Sequence, residues 1–165
     1  MKKWTLAAGG AAAAVLALGL TLFRPSEEDR IRKVLDRFAN AVEVKANDNI
    51  VARAGRVKSE LRETVADDVH VDVADLDVRV SNRAALADSA TKASLVFPSA
   101  RCDLTGLNIK VDDNATTAKV DALAIVTGEL RGAKKVDNRP VHFLLRKDSG
   151  DWRITTIDVA ATRQE

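Results

Sequence analysis

The sequence predicts an α+β protein, in which an N-terminal transmembrane helix precedes a domain of about three helices packed on a curved, mostly antiparallel sheet. Three observations predict this class. An uncharged apolar run occupies residues 4–23, apolar residues then recur with a helical period to about residue 65, and the period falls to two after Asp67 and Asp68. We therefore expect residues 1–25 to be a membrane anchor or signal segment and residues 26–165 to be one folded domain.

The apolar run has about the length that a helix needs to cross a ~30 Å hydrocarbon layer. Ala17 and Gly19 have the small-residue spacing that a signal peptidase accepts. The run continues for four residues beyond Gly19, which makes it longer than a usual secretory core. The sequence therefore favours a retained anchor, and a domain secreted after signal cleavage is the alternative.

Two signals bear on which side of the membrane the domain lies. The short Lys2-Lys3 start is the usual form of an export signal. Arg24 and the basic residues after it would instead hold the domain in the cytoplasm, but they alternate with acidic residues in a predicted helix. We expect the domain on the extracytoplasmic, or periplasmic, side.

The charge balance argues against nucleic acid as a partner. The chain has 26 basic and 24 acidic residues, and Lys2 and Lys3 account for the difference. A phosphate-binding surface needs an excess of Lys and Arg, which the folded part lacks. Cys102 is the only cysteine, so an intramolecular disulfide and a multi-cysteine zinc site are excluded, and we expect no cofactor.

Capping residues and apolar stripes predict three helices. Ser26 with Asp29 forms a capping pair at the start of the first helix, and Asn49 precedes the second. In the second helix Arg53 is expected to face water, opposite a stripe of apolar residues. Asn82 caps a third helix that extends to about residue 95. The apolar stripe of the second helix is Ile50, Ala54, Val57 and Leu61.

Alternating apolar residues predict the strands. A change of face near Ala74-Asp75 predicts a turn or bulge, and another change at Thr105-Gly106 predicts a second one. The longest strand is apolar on both faces, so it is expected to be central. The predicted strands are Val69 to Val73, Leu76 to Val80, Arg101 to Val111, Ala115 to Leu130, Val141 to Arg146 after Pro140, and Trp152 to Val159.

This order of elements resembles the nuclear transport factor 2-like superfamily, also called SnoaL-like or cystatin-like, over residues 26–160. The most specific part is the final strand pair at residues 142–154, which reads His-Phe-Leu-Leu-Arg-Lys-Asp-Ser-Gly-Asp-Trp-Arg-Ile. The helix start Asn82 to Leu86 after a short strand supports it. The resemblance implies a cone-shaped domain, whose mouth holds a ligand or is filled by side chains.

The resemblance does not by itself imply an activity, because one fold hosts many functions. The superfamily includes isomerases, dehydratases, cyclases, transport adaptors and non-catalytic domains. Its enzymes resembling ketosteroid isomerase and scytalone dehydratase use tyrosines together with Asp or His in the cone. This chain has no tyrosine, so we expect a non-catalytic protein rather than an enzyme.

Asp121, His142 and Asp158 are the candidate catalytic residues. A carboxylate buried in the cone would have a raised pKa, and a histidine in a pocket could act as a general base. The alternative, which we favour, places the two aspartates at solvent-facing positions of the sheet and makes His142 a partly buried, hydrogen-bonded sheet residue.

Asp68, His70 and Asp72 are the candidate metal ligands, because residues two apart on a strand share one face. The alternative, which we favour, is that they form the solvated face of a strand whose other face is Val69, Val71 and Val73.

The sequence thus predicts a membrane-anchored, extracytoplasmic binding or assembly domain without catalytic activity. We expect the membrane to be contacted through residues 4–23, and a second copy or an envelope protein to bind the exposed face of the sheet. The alternatives are an enzyme of the isomerase or dehydratase type and a carrier, either of which would take a small hydrophobic ligand into the cone.

Overall fold

The computed structural model describes residues 25–46, 48–130 and 132–161, and the predicted membrane run at residues 4–23 lies outside them. The described part confirms the α+β class with three helices on a curved sheet. The helices are α1 (Glu27–Val42), α2 (Ile50–Thr64) and α3 (Arg83–Val96). The strands are β1 (Val65–Val73), β2 (Val78–Val80), β3 (Ser99–Val111), β4 (Thr117–Leu130), β5 (Ala133–Asp148) and β6 (Asp151–Val159).

The strands form one mixed sheet in the order β2-β1-β6-β5-β4-β3. β1 and β6 run parallel, and every other neighbouring pair is antiparallel. β4, the strand predicted to be central, has a partner on both sides but is second from the edge of the sheet, and β6 and β5 are the central strands. Among the described residues, no helix is long and apolar enough to cross a membrane.

The predicted capping residues begin all three helices. Ser26 Oγ accepts a hydrogen bond from the Asp29 backbone N–H at 3.1 Å, and the Asp29 carboxylate accepts from the Ser26 backbone N–H at 3.2 Å. Asn49 and Asn82 accept backbone N–H groups in the first turns of α2 and α3 in the same way. These bonds satisfy N–H groups that have no partner within the helix.

Both predicted changes of face are present in the sheet. The register of β3 against β4 shifts between Thr105 and Asn108, where Gly106 has a φ of 61°. Glycine adopts this left-handed conformation without steric cost, which permits a bulge that moves the following side chains to the other face. A turn separates β1 from β2 at the other predicted site, with Asp77 at a φ of 48°.

Two strands begin at least four residues earlier than predicted. β1 begins at Val65, directly after α2, and β5 begins at Ala133 instead of after Pro140. Proline lacks an N–H group and is expected at strand ends or edges. Here Pro140 lies where the pairing of β5 with β6 ends, and its carbonyl accepts from the Ala160 N–H at 3.0 Å. The missing N–H group of Pro140 therefore costs β5 at most one backbone hydrogen bond.

The core lies between the helices and one face of the sheet, which we call the inner face. Val141, Phe143 and Leu145 of β5 point to this face and are at most 2% exposed. Phe143 packs edge-to-face on Phe38 of α1, with ring centroids 6.3 Å apart. The other members of this core include Ile31, Leu35, Val57, Leu61, Trp152 and Ile154. Side chains of α1, α2 and the strands thus fill the space between helices and sheet.

Arg53 is buried, so the prediction that it faces water is wrong. Its guanidinium donates to the carbonyl of Val42 at 3.1 Å, to that of Ala90 at 2.9 Å, and to that of Glu43. These three carbonyls belong to α1, to α3 and to the residue after α1. Burial lowers the pKa of Arg53, while Asp48 at 3.7 Å opposes that shift. Arg53 therefore links the three helices.

Candidate functional site

The face of the sheet turned away from the helices, which we call the outer face, carries the predicted catalytic candidates. On β5, His142 alternates with the buried Val141 and Phe143 and so points outward. Asp121 of β4 is directly opposite His142 on one side, and Asp158 of β6 is directly opposite on the other. The three candidates therefore form one row across the middle of the sheet. The row continues to Asn108 of β3 on one side, and through Asp72 of β1 to Arg79 of β2 on the other.

His142 and Asp121 form a close pair, with 2.5 Å between Nδ1 and Oδ1. Their side chains are 59% and 52% exposed. A carboxylate beside an imidazole can orient the ring for proton transfer, as in hydrolytic triads. Both side chains are more than half exposed, however, and solvent screens charges at such positions. His142 was expected to be partly buried and is instead exposed.

The structure separates the predicted metal ligands into different interactions. Asp68 lies 3.4 Å from Arg146, and Asp72 lies 3.3 Å from Arg79. The His70 imidazole lies 2.9 Å from the backbone carbonyl of Asp68. Within the described ranges, no three carboxylate, histidine or cysteine side chains are grouped closely enough to hold a metal ion.

Cys102 contacts the core from β3 and is half-buried. Burial raises the pKa of its thiol to about 11, with a smaller contribution from the charge of Asp103. Because the thiolate is the nucleophilic form, a thiol with this pKa is almost entirely unreactive at neutral pH. The thiol is therefore a packing group rather than a nucleophile.

Apolar side chains of the outer face lie on both sides of the row that contains the His142–Asp121 pair, and we call this set the outer-face patch. It consists of Leu123 and Ile125 of β4 with Val136, Pro140 and Leu144 of β5. Leu123 is directly opposite Pro140, and the polar row lies between these two residues and Leu144. Leu123, Leu144 and Val136 are 38%, 40% and 58% exposed.

The sequence contains a signal for this patch. Both faces of β4 are apolar between Val120 and Val126, the pattern from which a central strand was predicted. The inner residues Val120 and Ala124 are buried. The outer residues Leu123 and Ile125 remain partly exposed in the single chain. Apolar side chains on the uncovered face of a sheet are typical of an interaction surface.

Three helices packed on one face of this six-stranded sheet define the nuclear transport factor 2-like fold, also called cystatin-like. No protein-family model and no curated protein matches the sequence. The solved structures that it resembles include the Kfla4162 protein from Kribbella flavida, with a TM-score of 0.68 and 13% identity over 84% of this chain and 93% of that chain.

Two further structures show the same likeness. A nuclear transport factor 2-like protein with a cystatin-like fold from Novosphingobium aromaticivorans has a TM-score of 0.64 and 16% identity, covering 100% of this chain and 94% of that chain. Rv3472 from Mycobacterium tuberculosis, a protein of unknown function, has a TM-score of 0.65 and 18% identity, covering 82% of this chain and 71% of that chain. The structural similarity establishes the fold. Sequence identities this low do not transfer a function, which must be argued from the site itself.

Proposed function

We propose that this chain is a membrane-anchored, non-catalytic binding or assembly domain, which lies on the extracytoplasmic side and contacts a protein partner through the outer-face patch. The observation that carries the proposal is the contrast between the two faces of the sheet. The middle of the inner face is filled by buried aromatic and aliphatic side chains, while the outer face exposes the apolar patch.

The position of the acid–base candidates supports binding rather than catalysis. Asp121, His142 and Asp158 all lie on the outer face, where solvent reaches them. A cone enzyme of the isomerase or dehydratase type needs such a group inside an apolar pocket, where desolvation shifts its pKa. The side chains named as candidates are on the opposite side of the sheet from the cone, so we do not carry the enzyme alternative forward.

The partner surface can be tested by placing a charge in the patch. We would compare Leu123→Arg with Val51→Arg, because Val51 is 77% exposed on α2 and gives a matched apolar-to-charged control on a helix. The full chain in detergent would be sized by light scattering. We expect an assembly larger than a monomer for the wild type and for Val51→Arg, and a smaller species for Leu123→Arg.

A monomeric wild type would direct the test to a different partner. A photo-crosslinker at Leu144 in the intact membrane should then give one defined adduct, and a crosslinker at Val51 should not. The proposal fails if neither position gives an adduct and the wild type is monomeric.

The location of the domain would be tested by fusing to the C-terminus a reporter that is active only outside the cytoplasm. An inactive fusion would contradict the extracytoplasmic assignment.

A further inference from the structure

The apolar run and the first helix of the domain are separated by almost no chain. Arg24 and Pro25 are the only residues between the run and Ser26, which caps α1. The three peptide units from residue 23 to residue 26 span at most about 10 Å, at ~3.3–3.6 Å for each residue. The headgroup layer on each side of a membrane is about 5–7 Å thick. If the run spans the membrane, the first turn of α1 lies in the headgroup layer or directly above it.

Side-chain contacts fix this first turn to the turn between β5 and β6. The Glu27 carboxylate accepts a hydrogen bond from the Trp152 indole N–H at 2.6 Å and pairs with the Lys147 ammonium at 2.9 Å. The Arg30 guanidinium donates to the Gly150 carbonyl at 2.6 Å. The start of α1 and the β5–β6 turn therefore form one end of the domain, which we call the near end.

The opposite end of the domain has a different surface. Val136 of β5 is twelve residues from Asp148, a distance of about 40 Å along a strand at ~3.3 Å per residue. We call the region around Val136 the far end. Several of the most exposed large apolar side chains lie there, on the β1–β2 turn, at the end of α3 and on β5. They are Leu76, Leu95, Val96 and Val136.

The near end is instead charged, with both signs in close proximity. A cleft of about 490 Å³ is lined by Pro25 and residues of α1, and a second cleft of about 470 Å³ is lined by Arg62 and Arg153 among others. The basic side chains lining the two clefts are Arg30, Lys33, Arg37, Arg62, Arg83, Arg146 and Arg153. The acidic ones are Asp29, Glu63, Asp67, Asp68, Asp148 and Asp151.

We infer that the near end rests on the headgroup layer of the membrane, while the far end points away from it. The inference depends on the proposed membrane anchor. The occupant is a zwitterionic lipid surface, whose phosphate and ammonium groups can exchange with the partners in exposed ion pairs such as Arg146–Asp68, which is 51% and 64% exposed. Because the near end has almost equal numbers of both signs, the contact requires no excess of anionic lipid. The domain stands upright, with its far end about 40 Å from the headgroups.

Fluorescence quenching from the headgroups would test this orientation. The full chain would carry Cys102→Ala together with either Ser149→Cys at the near end or Val136→Cys at the far end, and each new thiol would bear a fluorophore. Ser149 already has a φ of 50°, and cysteine is nearly isosteric with serine, so the turn is retained. The vesicles would contain phosphatidylcholine and phosphatidylethanolamine, with a small share of lipid that carries a quencher on its headgroup.

We expect loss of fluorescence from the Ser149→Cys protein and no change from the Val136→Cys protein. Equal quenching at both positions, or quenching at neither position while the protein still sediments with the vesicles, would overturn the inference and leave the anchor intact. Failure to sediment would overturn both the anchor and the inference. Quenching that appears only after anionic lipid is added would contradict the zwitterionic contact.

Discussion

The two faces of β5 belong to one strand but have opposite surroundings. Val141, Phe143 and Leu145 are buried against the helices, whereas His142 and Leu144 between them are exposed to solvent. The inner residues therefore determine whether the domain folds. We expect the outer residues to contribute less to folding, and our proposal assigns their apolar character to contact with another molecule.

The largest effect should come from the centre of the inner face. We expect Phe143→Ala to lower the free energy of unfolding by about 3–5 kcal/mol, because it leaves a cavity beside Phe38. Leu144→Ala is the matched change on the outer face and should alter it by less than about 0.5 kcal/mol. Urea unfolding of the full chain in detergent, followed by circular dichroism, would measure both. Similar losses for the two variants would contradict the difference between the faces.

Arg53 tests whether the helix layer depends on one buried cation. Arg53→Met retains most of the side-chain volume but leaves the carbonyls of Val42, Glu43 and Ala90 without this donor. We expect a loss of about 3 kcal/mol in the same unfolding measurement, because each buried acceptor left unsatisfied costs about 1–3 kcal/mol. Arg62→Met is the control, since the Arg62 side chain is exposed. If the two variants are equally stable, Arg53 does not link the helices.

Arg53 also marks the limit of what local sequence could predict. The stripe of α2 identified Val57 and Leu61 as core residues, and both are buried. The same stripe placed Arg53 in water, because a helical wheel records neighbours along one helix only. The carbonyls that Arg53 satisfies come from residues 11 and 37 positions away, among others. The periodicity of apolar residues within α2 contains no information about these distant carbonyls.

The site shows the same division between local and distant information. Helix caps at Ser26, Asn49 and Asn82 were predictable because each depends on residues two or three positions away. The orientation of Asp121 could not be derived from the pattern of β4, because the strand is apolar on both faces and either face could have been the buried one. Its position became evident only from the register of β4 against His142 in β5.

Glu27 offers a test at the near end, where the folded domain meets the predicted anchor. The hydrogen bond from Lys147, followed by that from Trp152, lowers the pKa of Glu27 below its usual value of 4.5. A carboxyl group with a lowered pKa stabilises the fold at pH values above its usual pKa of 4.5. That stabilisation is lost as the pH falls through the folded-state pKa. We expect Glu27→Gln to cost less than about 1 kcal/mol at pH 7, because the side chain is partly exposed.

Unfolding of Glu27→Gln and the wild type would be compared from pH 7 down to pH 3. The difference between the two proteins should shrink as the pH falls below 4.5. A difference that stays constant over this range would mean that the ionised carboxylate contributes nothing to the attachment of α1. Glu28→Gln, the same change at the neighbouring residue, is the control for the substitution itself.

The smallest effect is expected at the His142–Asp121 pair. Asp121→Asn removes the charge and keeps the shape, and we expect the free energy of unfolding to change by less than about 0.5 kcal/mol, because exposed ion pairs contribute little. If the pair contributes to the outer-face patch, the same variant should weaken the assembly tested with Leu123→Arg or the crosslink tested at Leu144. A variant that unfolds easily would instead make the pair a structural element and remove it from the proposed partner surface.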